Sequence, residues 1–162
     1  MTAENVPGQL ALQDALRRHL GRVARVAERD AALLEGSRMD KNQLQNVLNV
    51  AEETQNVAVV ASFIQYQIGR AGVGPQWQHN DFGLSIVSRL TEPEGIVEQE
   101  AKAILTELRE QGHTPPDNAV HSLRYELMRY YLGFLTRAYV FGNSGVRNAW
   151  QILRETPEPQ AA

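Results

Sequence analysis

The sequence predicts an all-α protein, a compact bundle of about five to six helices. Three observations predict it. Apolar residues recur every three or four positions almost throughout, no convincing run alternates with period two, and glycine or proline clusters separate the periodic stretches. At 162 residues the chain fits one domain, large enough to bury a core without covalent staples. That domain is expected over residues 1–155, with a frayed tail over 156–162.

The first helix is expected from Gln9 to Glu35, buried through Leu12, Leu16, Leu20, Val23, Ala27 and Leu34 and stopped by Gly36. It either packs on the bundle or reaches out as an added arm; both readings stand. Asp40, with Gln43 three residues on, makes a capping box for a second helix. Its stripe runs through Leu44, Val47, Leu48 and Ala51 to Ile64 and Ile68, with a bend at Glu53–Asn56, until Gly69, Gly72, Gly74 and Pro75 break it. Residues Pro75–Asn80 read as a loop, and Asn80 or Asp81 as the cap of a short helix to Leu90. Thr91-Glu-Pro-Glu94 reads as a second capping box, opening a helix to Gln111. Asp117, after Pro115-Pro116, caps a helix to Phe141, and Asn143 or Ser144 starts a last one around Trp150.

Composition narrows the function. There is no cysteine, so disulfides, thiolate zinc sites and cysteine nucleophiles are absent, as suits a reducing, cytoplasmic setting. The start, Met1-Thr-Ala-Glu-Asn-Val-Pro-Gly, lacks the basic and apolar regions of a signal peptide, and no apolar stretch approaches a membrane span. The net charge of −3 gives no global attraction to nucleic acid. The charges are segregated, however. Between Thr91 and Asp117 seven carboxylates face only Lys102 and Arg109, whereas Asn118–Arg154 carries five arginines against Glu126. The two helices either pair with each other or present opposite faces.

No catalytic centre is expected, and no cofactor, metal or small-molecule substrate. His19, His79, His113 and His121 are scattered without metal-ligand spacing. Gly69-Arg-Ala-Gly72-Val-Gly74 follows a helix and not a strand, so it reads as a helix stop and not a phosphate loop.

Binding surfaces are better supported. Arg18, Arg22, Arg25 and Arg29, spaced 4, 3 and 4, line one side of the first helix. Such a row can track a phosphate backbone, or it can be a solvated face neutralised by Asp14 and Glu28. Farther on, arginines interleave with aromatics: Arg124-Tyr125, Arg129-Tyr130-Tyr131 and Arg137-Ala-Tyr139. Guanidinium and aromatic planes both stack on unpaired bases, although core tyrosines flanked by snorkelling arginines give the same pattern.

Three segments carry a resemblance. Asn42-Gln-Leu-Gln-Asn-Val-Leu48, then Ile64-Gln-Tyr-Gln-Ile-Gly-Arg70, then Met128-Arg-Tyr-Tyr-Leu-Gly-Phe-Leu-Thr-Arg-Ala-Tyr139 resemble, in order and rough spacing, signatures of one family. These are the "Q-L-R-x-L-L", "Y-Q-A-G-R" and "Y-M-E-A-L-x-A-Y" stretches in the small subunit of type III (Csm-type) CRISPR–Cas effector complexes. The similarity spans Asp40 to Gly142. Gln45 stands where the family's arginine follows Gln-Leu, and the first and last helices lie outside the pattern. The resemblance implies a non-catalytic subunit that stacks with copies of itself beside backbone subunits, forms a positively charged groove for the duplex of guide RNA and target RNA, and supports the target strand. By carry-over, Arg70 and Gln67 become RNA-facing candidates. Arg124, Arg129, Arg137 and the four-arginine row are added by the charge pattern. The alternative function is a helical protein–protein adaptor or self-associating scaffold, using the acidic helix and the arginine row and having no nucleic-acid role.

Overall fold

The apolar stripes fold as helices in the computed structural model, which describes residues 6–157. Most of the polar start and most of the expected frayed tail fall on residues 1–5 and 158–162, outside that range. Among the described residues the secondary structure is helical, with no strand. The elements are α1 (Val6–Ala32), α2 (Lys41–Thr54), α3 (Val57–Gly69), α4 (Gly74–Gln78), α5 (Phe82–Thr91), α6 (Ile96–Glu110), α7 (Ala119–Gly142) and α8 (Ala149–Glu155).

The two long helices, α1 and α7, form the centre. α1 packs chiefly on α7 and also on α6 and α8, and it buries Leu12, Ala15, Leu16, Val23, Ala27 and Ala31. It is a core element and not an added arm. α7 contributes Leu123, Leu127, Met128, Tyr131 and Leu135, and burying each such aliphatic side chain is worth about 1.5–3 kcal/mol against exposure. A polar clasp crosses this seam. The buried Tyr131 hydroxyl donates to Asp30 Oδ2 at 2.5 Å, and Arg89 of α5 holds the same carboxylate with two bonds of 2.9 and 3.1 Å. Burial, then the adjacent Asp30 charge, raises the Tyr131 hydroxyl well above its ordinary pKa, so it stays a donor.

The helix ends depart from expectation in instructive ways. α1 stops at Ala32, three residues early, because Leu33, Leu34 and Glu35 tighten into turns that bond three residues back before Gly36 takes φ +78°. The bend at Glu53–Asn56 is a full break. Gln55 is left-handed, and the Asn56 side chain accepts from the Ala58 and Val59 N–H groups to start α3. Asp40 caps α2 as expected, accepting from the Asn42 N–H at 2.8 Å.

Three expectations are corrected. Residues Pro75–Asn80 are not a loop; they form α4 and a 3₁₀ turn over His79–Asp81. Of the two expected caps Asp81 is the cap residue of α5, without a side-chain bond, and Asn80 serves elsewhere. The Asn80 amide donates to the Leu33 carbonyl, and the His79 ring bonds the Glu35 carbonyl, so both close the end of α1. The Thr91–Glu94 box does not form. Thr91 belongs to α5 and donates to the Val87 carbonyl, while Gly95 is the cap of α6. A Cβ at Gly95 would sit 2.4 Å from the Ser88 carbonyl oxygen, so the close approach of α6 to the end of α5 requires glycine. Asn118 and Asn148 cap α7 and α8 in place of Asp117 and Asn143 or Ser144, and neither uses a side-chain bond.

Candidate nucleic-acid interface

The arginine row of α1 does not form an open cationic track. Arg18 pairs with Asp14 and with Glu107 of α6, and Arg22 Nε lies 2.7 Å from Glu100 Oε1. That second contact is an ion pair without hydrogen-bond alignment, since Oε1 accepts no bond. Arg25 holds both oxygens of Glu28, at 2.7 and 2.8 Å, and Arg29 reaches the Thr156 carbonyl at 3.3 Å. The basic face of α1 and the acidic helix α6 therefore answer one another within one chain. A phosphate would have to displace carboxylates to use this row.

His19 sits at the centre of that pairing. Its Nδ1 lies 2.7 Å from Glu100 and its Nε2 3.0 Å from Glu107. Two carboxylate partners require two N–H donors, which is the imidazolium. The hydrogen bond to Glu100 raises the His19 pKa against the opposing effect of burial, and the bonds from His19 and Arg18 lower that of Glu107. The histidine looked isolated in sequence because its partners lie 81 and 88 positions away. Among the described residues no group of three potential ligands could hold a metal ion.

α7 presents a different surface. The Arg129 guanidinium lies over the Tyr130 ring at 4.5 Å, Tyr130 stacks on Phe134 at 5.9 Å with 28° between planes, and Arg137 lies 5.8 Å from the Phe134 centroid. Helical spacing of four and three produces this ladder, since 130, 134 and 137 share one stripe. Arg129 also pairs with Glu126 at 2.7 Å; Arg137 has no carboxylate partner among the described residues. The ladder runs into a cleft of about 510 Å³ between α1, α7 and α8, lined by Arg25, Glu28, Phe134, Arg137, Phe141 and Ile152 among others. Phe141 and Ile152 are exposed apolar residues there. The interleaving was visible in sequence; the cleft needed α1 and α8 in place.

The remaining candidates separate. Arg70 follows α3 and lies 5.7 Å from the Tyr66 ring, on an exposed ledge. Gln67 does not share it. It is 4 % exposed, turned into the bundle, so an RNA-facing role for its side chain is withdrawn. Its neighbour Ile68 packs over Gly83, and that packing of α3 on α5 turns Gln67 inward. Arg124 is held by both oxygens of Glu98, at 2.7 and 3.2 Å, which joins α7 to α6. α3 packs mainly on α5, α2 and α4, whereas the ladder adjoins α1 and α8, so Arg70 and the ladder belong to different parts of the surface. The glycine-rich stretch after Arg70 ends one helix and begins another. Gly72 takes φ +90°, and a Cβ on Gly74 would meet the Ile68 carbonyl oxygen at 2.7 Å.

Comparison of the chain with protein-family models, curated proteins and solved structures finds no match. No helix among the described residues is long and apolar enough to cross a membrane.

Proposed function

We propose that this chain is a non-catalytic, cytoplasmic small subunit of a CRISPR ribonucleoprotein effector, where it supports the guide and target RNA. The observation that carries the proposal is the Arg129–Tyr130–Phe134–Arg137 ladder on α7. Arginine at each end supplies phosphate contacts, and the rings between supply planes for stacking, the combination that single-stranded nucleic acid selects. The resemblance over Asp40–Gly142 points the same way and adds Arg70 as a second cationic position. The alternative, a protein adaptor, relied on the acidic helix and the arginine row. The pairing of Arg18 and Arg22 from the row with Glu107 and Glu100 from the acidic helix weighs toward the RNA reading.

A tagged pull-down from the native host, with size-exclusion chromatography and RNA extraction, tests the proposal. Guide-length RNA in a large particle containing backbone subunits is the expected result. An RNA-free monomer or dimer, or an unrelated protein partner, would overturn it.

A further inference from the structure

The ladder ends in a cleft whose walls differ in chemistry. Phe134 and Phe141 of α7 and Ile152 of α8 supply apolar surface, Arg25 and Arg137 flank it with positive charge, and Glu28 places a carboxylate at its edge. At about 510 Å³ the space admits a single nucleobase with room to spare. Arg25 binds both Glu28 oxygens through one nitrogen, so Glu28 is held in position yet keeps acceptor capacity, because two carboxylate oxygens offer about four lone-pair sites.

We propose that this cleft receives one unpaired RNA base bearing an exocyclic amine, which stacks against the Phe134–Arg137 end of the ladder and donates its amine to Glu28. The proposal rests on the RNA-supporting reading and adds a base preference to it. A base paired within a duplex is stacked on its neighbours and cannot enter; an unpaired one can, while Arg137, which has no carboxylate partner among the described residues, meets its phosphate. Cytosine offers an amine where uracil carries a carbonyl of the same size. A carboxylate accepts from the first and repels the second, so the preference follows from Glu28 alone.

The test is fluorescence anisotropy of the full chain with labelled single-stranded oligocytidine and oligouridine of equal length. Oligocytidine is expected to bind about tenfold tighter, the ratio one charge-assisted hydrogen bond supports. Glu28→Gln, whose amide both accepts and donates, should erase the ratio while melting at the wild-type temperature. Ile152→Trp, which fills the cleft from α8, should weaken both oligomers without changing the slope of affinity against salt. Equal affinity for the two oligomers in the wild-type chain, or binding of neither, would overturn the pocket. The RNA content of the native particle decides the underlying reading separately.

Discussion

His19 Nδ1 lies 2.7 Å from the Glu100 carboxylate, and this contact ties the centre of α1 to α6. The other ring nitrogen reaches Glu107, so the ring bridges two carboxylates only while doubly protonated. A folded-state pKa raised above the ordinary 6.5 contributes stability that is complete below that value and is lost as pH rises through the raised one. Glu107, lowered from its ordinary 4.5, contributes above that value and loses its contribution as pH falls through the lowered one. The clasp is therefore at full strength between about 4.5 and 6.5. Thermal melts from pH 5 to 9 should show His19→Gln destabilised most at the acid end, with the gap to wild type narrowing toward pH 9. A constant gap across that range would contradict the bridge.

Removing Arg22 should cost stability and spare RNA. Arg22→Ala takes one cation from the buried Glu100, which keeps His19. Because Arg22 is itself half exposed, the expected loss is about 1 kcal/mol in urea denaturation. The salt dependence of RNA affinity should not move. A reduced slope would mean that the row does contact phosphate.

The ladder should behave in the opposite way. Arg129→Ala and Arg137→Ala should each lower the salt slope by about 1 and leave the melting temperature within a degree or two. Arg70→Ala should do the same if both parts of the surface contact one RNA. An unchanged slope in the triple variant Arg70→Ala, Arg129→Ala, Arg137→Ala would remove the proposed surface.

The seam between α1 and α7 should be sensitive to one hydroxyl. Tyr131→Phe deletes the 2.5 Å bond to Asp30 but leaves Arg89 in place, for a loss of about 1 kcal/mol. Asp30→Ala strands the buried Tyr131 hydroxyl as well and should lose about 1–3 kcal/mol. Equal losses in the two variants would mean that the Arg89–Asp30 pair adds nothing and that the hydroxyl carries the clasp.

Gly142 tests the docking of α8. A Cβ there would meet the Trp150 ring at 2.4 Å, with no flexible side-chain end to give way. Gly142→Ala should displace Trp150 and cost about 1–3 kcal/mol, and its indole emission should shift to the red. An unshifted spectrum would show that α7 and not the indole yields.

The long helices are legible in the sequence because they rest on local periodicity, whereas the short α4 lies where glycine and proline suggest a loop. The stripe Leu44, Val47, Ala51 and the turn at Gly36 needed no knowledge of neighbours. What was misread depended on distant partners. Asn80 looks like a cap for the helix after it, yet its amide serves a carbonyl 47 residues earlier. Thr91 and Glu94 fit a capping box, but the approach of two helices at Gly95 selects a different start. Gln67 was assigned outward from a motif, and packing on α5 turns it inward. The arginine spacing is visible in the sequence, while the carboxylates that meet Arg18 and Arg22 from α6 have no local signature.

The bonds that close α1 and the segment after it onto the rest of the bundle reach far along the chain. Tyr131 meets Asp30 across 101 positions, Tyr139 meets the Met39 carbonyl across 100, and Arg154 meets Glu35 across 119. Such pairings raise contact order, and the chain closure they demand slows folding. On the ribosome α1 emerges well before α7, and until then the part of its apolar stripe that α7 covers stays exposed. A helix made before its main partner is thus buried only after it, and the interval before α7 appears is when a nascent chain most needs protection from its neighbours.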